Sequence, residues 1–159
     1  MYLLADAAVD IACSAADAFN YACDLENFSD WFPGVINVVA HNDVAFSERG
    51  REYRETVDVP LRGRRSVGIR VVDAEAPHRL ITEGDLSIVM PRMEIHITQS
   101  SPQACTLQWR MLSRNRNRNR NALARLVVLP IVRTVMTKRA ATGMQRLKER
   151  LERDRADTS

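Results

Sequence analysis

Residues 14–35 read "SAADAFNYACDLENFSDWFPGV". Ser14 with Asp17 three residues on is a capping signature, in which the serine oxygen accepts from a first-turn amide. Ala15, Ala18, Phe19, Ala22 and Leu25 then recur at helical spacing, so a short amphipathic helix is expected. In "ENFSDWFPGV" three aromatics sit among turn-prone residues, and Pro33-Gly34 ends any helix. A second short helix or turn that buries Trp31 or Phe32 fits this segment.

The flanks give the surroundings of that helical insert. Upstream, "LLADAAVDI" (Leu3–Ile11) suits a first strand. Downstream, from Val35 to Arg114, the period becomes two. "VINVVAH" is one strand. "EYRETVDV" places Tyr53, Val57 and Val59 on one face, with Glu52, Arg54, Thr56 and Asp58 opposite. "SVGIRVV" groups Val67, Ile69 and Val71; "LITEG" follows the turn "APHR". "MEIHITQ" groups Met93, Ile95 and Ile97, and "TLQWRML" groups Leu107, Trp109 and Met111. Such alternation with short turns describes an antiparallel sheet with one wet face. No strand alternates with a helix, which disfavours a doubly wound parallel sheet.

After Asn121 the helical period returns. Leu126, Pro130, Thr137, Ala140, Met144, Leu147 and Leu151 fall on one side, while Arg139, Arg146, Lys148, Arg150 and Arg153 take other angles. A long amphipathic helix over 122–153 is expected, bent or broken near Pro130, which cannot donate to the ladder. The fold class is α+β: six to seven curved antiparallel strands wrapped around one long C-terminal helix, with two short helices after strand one. A chain of 159 residues makes one domain, 1–159.

This order, with Asp24-Leu25-Glu26-Asn27 and Trp31-Phe32-Pro33-Gly34-Val35 after the first strand, resembles the START-type helix-grip superfamily, in its polyketide cyclase/dehydrase-like (SRPBCC) branch. "VVDAEAPHRLITEG" (Val71–Gly84), "CTLQWRM" (Cys105–Met111) and "MQRLKERLE" (Met144–Glu152) extend the likeness along nearly the whole chain. The resemblance implies a deep cavity between sheet and helix for a hydrophobic or amphipathic small molecule: a polyketide, quinone or lipid. Relatives of this kind include aromatase/cyclases and lipid- and coenzyme Q-binding proteins, and fold alone does not choose among them. A cyclase, dehydratase or aromatase acting in the same cavity is the enzymatic alternative.

Candidate lining residues are Tyr53, Met93, Ile95, Trp109, Met111 and Met144, with Trp31 and Phe32 from the turn; the plain alternative is a filled core. Glu55 is the polar exception, because it shares parity with Tyr53, Val57 and Val59. Turned inward, it needs a partner or a proton. Arg133, on the inner stripe of the long helix, is a candidate partner. Glu55, Tyr53 and Arg133 are therefore the candidate catalytic groups. The softness of strand register favours instead a strand edge where Glu55 meets water. His41, His78 and His96 are scattered with no metal-ligand spacing, and no GxSxG or glycine-rich phosphate loop occurs, so neither metal nor cofactor is expected.

Charge is divided along the chain. Residues 1–113 carry 10 Arg and no Lys against 16 acids, a net −6; residues 114–159 carry 13 Lys and Arg against 4 acids, a net +9. The Arg-Asn repeat at 114–121 alternates Arg114, Arg116, Arg118 and Arg120 with asparagines, and Asn favours turns, so a solvated loop is expected. It holds no aromatic to stack on a base, which disfavours nucleic acid. "LVVLPIV" (Leu126–Val132) is apolar all round and must be covered by the domain, a second subunit in a homodimer, or an anionic membrane; burial under Trp31–Val35 is favoured. Cys13, Cys23 and Cys105 are odd in number without a CxxC pair, as in a reducing compartment. With no signal-peptide pattern and no long apolar run, a cytoplasmic protein, at most peripheral at a membrane, is expected.

Overall fold

The computed structural model describes residues 1–87, 89–115 and 122–158, with side chains described from 127 onward in the last stretch. The capping signature at Ser14 forms as the sequence requires: its hydroxyl accepts from the Asp17 amide at 3.1 Å. Strand β1 (Tyr2–Ile11) leads into helix α1 (Ala15–Ala22), a 3₁₀ turn at Leu25–Asn27 and helix α2 (Phe28–Trp31). Then come β2 (Val35–Ala40), β3 (Glu52–Val59), β4 (Gly63–Glu75), β5 (Arg79–Gly84), β6 (Pro91–Ser101), β7 (Ala104–Ser113) and the 37-residue helix α3 (Ala122–Thr158).

Among the described residues, seven strands form one antiparallel sheet in the order β1-β7-β6-β5-β4-β3-β2. The edge strands β1 and β2 each carry a register shift, between Leu3 and Ala5 and between Val35 and Asn37. The period-two residues face the core: Tyr53, Val67, Val71, Met93, Ile95, Ile97, Leu107 and Trp109 are all buried. On α1, Ala15, Ala18, Phe19 and Ala22 are buried against them. Fully burying one large apolar side chain contributes roughly 1.5–3 kcal/mol, so this inner layer dominates the stability.

The two short helices join the sheet to α3 through aromatic rings. Phe28 lies 4.9 Å from both Trp31 and Phe32, and Phe32 lies 4.8 Å from Trp109 of β7. On the other side, a Cβ at Gly143 of α3 would stand 3.1 Å from Phe32, so the missing side chain brings α3 close to that ring. Gly34 takes φ +87°, and the Arg139 guanidinium lies where its Cβ would be. Arg139 also donates to the Asp58 carbonyl at 2.7 Å and pairs with its carboxylate at 3.7 Å. The far end of α3 is tied to the β1–α1 junction: Lys148 donates to the Asp10 carbonyl at 2.8 Å, and Glu152 accepts from the Ala12 amide at 3.0 Å.

Several expectations for α3 need correction. The helix continues unbroken through Pro130 and runs to Thr158, beyond residue 153. Pro130 and Thr137 are exposed, and so is Arg133; the buried stripe is Val132, Ala140, Met144, Leu147 and Leu151. The reason is what lies beneath. The N-terminal half rests on Leu4 of β1 and Val89 of the β5–β6 connection, which turns Val132 inward and leaves Arg133 outside. That same cluster, rather than the Trp31–Val35 turn, covers "LVVLPIV", with Val128 and Leu129 partly buried and Val127 exposed. Arg116, Arg118 and Arg120 of the repeat lie outside the described residues, as does the side chain of Leu126. Arg114 folds back on the sheet, pairing with Glu83 at 3.1 Å. The three cysteines are free and buried, and burial pushes the Cys13 thiol up to about 12.

Gly34→Ala is expected to lower stability by about 1–3 kcal/mol, because a side chain at positive φ is strained and its Cβ meets Arg139. In an Arg139→Ala background the same substitution should cost only the backbone term. Urea midpoints of the four proteins in this double-mutant cycle measure the difference; additive values would remove the contact from the account.

Candidate functional site

Two adjoining cavities lie on the inner face of the sheet, the outer one against α3 and the inner one beneath Leu25 and Phe28. The outer one has a volume of about 90 Å³. Pro33 and Val35 bound it after α2, Val57–Pro60 at the end of β3, Leu86, Val89 and Pro91 between β5 and β6, and Val132, Met136 and Arg139 on α3. The inner one, about 40 Å³, lies among Leu25, Ile69, Thr82, Gly84 and Met93. Phe28, Glu55, Pro91 and Met111 border both.

Glu55 is therefore the polar group at the junction. It follows from β3: Val38 pairs with it on one side and Val67 on the other, and its parity with Tyr53 points it away from solvent. Its exposure is 8%, which corrects the expectation of a strand edge in water. No hydrogen bond or ion pair reaches its carboxyl from the described residues, and burial among apolar side chains pushes it up to about 7. A carboxyl so placed is a proton donor below neutrality and an uncompensated anion above it.

The other sequence candidates fall into three groups. Phe32, Met93 and Met111 border cavity space. Trp31, Ile95, Trp109 and Met144 are buried in the continuous core and border neither cavity, as does Tyr53, whose ring lies 5.1 Å beneath the Arg51 guanidinium. Arg133 is exposed and cannot serve as partner to Glu55. The structure adds groups that periodicity did not single out. Arg139, assigned to the polar side of α3, stands at the outer cavity, as do Asp58, Leu86 and Val89 from segment ends and a connection. Thr82, 3% exposed, is the second polar side chain at the inner cavity. Their signal was faint: "WFPG" demands a neighbour over a bare glycine, but nothing in the sequence says that Arg139 supplies it. Among the described residues no cluster of three His, Cys, Asp or Glu stands within metal-binding reach.

Comparison with known proteins places this geometry. The structure superposes on a START superfamily protein from Mycobacterium smegmatis with a TM-score of 0.68 and 14% identity, over 93% of this chain and 96% of that one. The Zhui aromatase/cyclase from Streptomyces sp. R1128 gives 0.67 and 15%, over 93% and 92%. The di-domain aromatase/cyclase StfQ of the steffimycin biosynthetic pathway gives 0.71 and 12%, over 96% of this chain and 51% of that chain. At such identities the likeness is one of fold. No curated protein matches the sequence significantly. The family model for polyketide cyclase / dehydrase and lipid transport proteins matches residues 4–152, and the chain, with its helix-grip sheet and covering helix, belongs to that family.

Proposed function

We propose that the chain binds one small, largely apolar molecule whose polar group meets Glu55. The observation that carries this reading is an unpartnered carboxyl at the junction of two apolar cavities. Burying a polar group without a partner costs several kcal/mol less when it is neutral than when it is charged. Protonated, Glu55 offers an O–H to a ligand carbonyl or hydroxyl. Family membership supports the apolar ligand class, and the names of the aromatase/cyclase neighbours suggest aromatic or polyketide-like molecules. The outer cavity of about 90 Å³ is smaller than the ~300–1,000 Å³ of sites for drug-sized ligands. A larger ligand requires Leu86, Val89 and the N-terminal half of α3 to move apart.

A second reading, a cyclase or dehydratase, is favoured by the position of Glu55 near 7, the range suited to a general acid–base. Binding remains the better supported. Tyr53 stands outside both cavities and Arg133 on the surface, and the other carboxylate at the outer cavity, Asp58, is exposed and paired with Arg139, so among the described residues Glu55 has no buried acid–base partner there.

The test of binding is solvent extraction of the purified protein with mass spectrometry, and titration with 1-naphthol followed by methyl NMR of Met93 and Met111. A co-purifying compound, or saturable shifts that Val67→Trp, at the wall of the outer cavity, abolishes by filling it, is expected; neither one appearing would reject the reading. The carboxyl itself makes a separate prediction. Its folded value, near 7, lies above the ordinary 4.5, so the unfolded chain loses this proton first and stability falls as pH rises from about 4.5 to 7. The loss is on the order of 3 kcal/mol and levels off above pH 7. Glu55→Gln should remove that slope and exceed the native protein in urea midpoint at pH 8. Parallel stability profiles for the two proteins would place Glu55 in water.

A further inference from the structure

We propose that the cavity-mouth end of the molecule is a docking face for an anionic lipid surface, formed by the β3–β4 hairpin tip and the outer side of the N-terminal half of α3. The tip reads Pro60-Leu61-Arg62-Gly63-Arg64-Arg65-Ser66, and residues 61–66 are all exposed. Leu61 stands at its apex with 71% exposure and φ +66°. Such a position ordinarily takes Gly, Asn or Asp, for which left-handed backbone is cheap. A leucine there strains the backbone and leaves most of its side chain in water, so folding gains little from it.

The arginines of the tip differ from most arginines of the sheet, although Arg54 of β3 likewise pairs with no carboxylate among the described residues. Arg51, Arg70, Arg79, Arg92, Arg110 and Arg114 each hold a carboxylate within 4 Å. Arg62, Arg64 and Arg65 pair with no carboxylate among the described residues; Arg65 donates to the Arg64 carbonyl. Asp58, opposite Arg64 in the ladder, is taken up by Arg139, and Asp85 by the Gly68 amide. Across the mouth, α3 repeats the combination. Val127 is 58% exposed, Pro130, Arg133 and Lys138 are exposed, and the helix carries no acid before Glu149.

The two patches share one end of the fold because Val59 and Pro60, at the base of the tip, border the same cavity as Val132 and Met136 of α3. Aliphatic side chains among unpaired cations suit a membrane interface, where cations meet head groups and aliphatics enter the acyl boundary. A nucleic acid would satisfy the cations but leave Leu61 and Val127 in water, and neither patch has an aromatic to stack on a base. The contact is peripheral: among the described residues no helix is long and apolar enough to cross a membrane. Docked in this way, the cavity opens toward the acyl region. The proposal does not depend on Glu55 and stands or falls separately from the ligand.

Co-sedimentation of the full chain with phosphatidylcholine vesicles, alone or with ~30% phosphatidylglycerol, tests it at about 50 mM and about 500 mM salt. Partition onto the anionic vesicles only, at least tenfold weaker at the higher salt, is expected. Arg62→Gln/Arg64→Gln/Arg65→Gln should lower the partition coefficient about 100-fold, near fivefold per arginine, and Leu61→Ser about tenfold. Arg146→Gln/Arg153→Gln, which removes two exposed cations toward the opposite end of α3, should leave it unchanged. Thermal melts confirm that each variant is folded. No partition onto anionic vesicles, equal loss in the Arg146/Arg153 control, or tighter binding to a short RNA duplex than to vesicles would each overturn the proposal.

Discussion

The seating of α3 on the Trp31–Gly34 turn decides where every other group in the interior can go. One bare backbone position, Gly143, lets the helix approach Phe32, and another, Gly34, receives the Arg139 guanidinium. Phe32 passes the contact on to Trp109 of β7, the strand next to the β1 edge. Beyond this contact the C-terminal half of α3 packs into the main core through Leu147 and Leu151, whereas in the N-terminal half Val132 reaches Leu4 and Val89. The outer cavity lies on the second side.

Within that space Glu55 is an energetic anomaly. Most other acids of the sheet pair with arginine, as where Glu94 meets Arg92 and Arg110 on the outer face. Glu55 has no such neighbour, and a hydrophobic residue of similar size would suit its surroundings better. Local departures from what stability alone would choose are characteristic of functional sites. The same reasoning applies to Leu61, whose exposure and backbone conformation both run against folding economy.

Much of the fold was legible because two periodicities carry it. Strict alternation named the buried face of β3, β4, β6 and β7, and the Ser14 cap with its small residues named α1. The parity of Glu55 was also legible, although not its escape from solvent. What failed was the rotation of α3. A helical stripe read by spacing alone assumes one partner along its length, but the N-terminal half of this helix also rests on Val89 of the β5–β6 connection, which turns Val132 inward and Arg133 outward. Cavity lining was the least legible. Tyr53, Ile95 and Trp109 are as apolar as Met93 and Met111, and whether a side chain borders a void is settled by neighbours far away in sequence. Leu86 and Val89, from an irregular connection, offer no periodic signal.

The open sheet has a further consequence. It ends on two strands whose outer backbone groups have no partner strand among the described residues, and β2 adds exposed Ile36 and Val39 to its edge. A regular apolar edge invites another chain to extend the ladder. Here β2 is only six residues long, and each edge strand steps out of register once, at Leu3/Ala5 and at Val35/Asn37. An incoming strand could match neither edge along its whole length. The irregularities that accommodate the sheet's curvature thus also guard the protein against self-templated polymerisation.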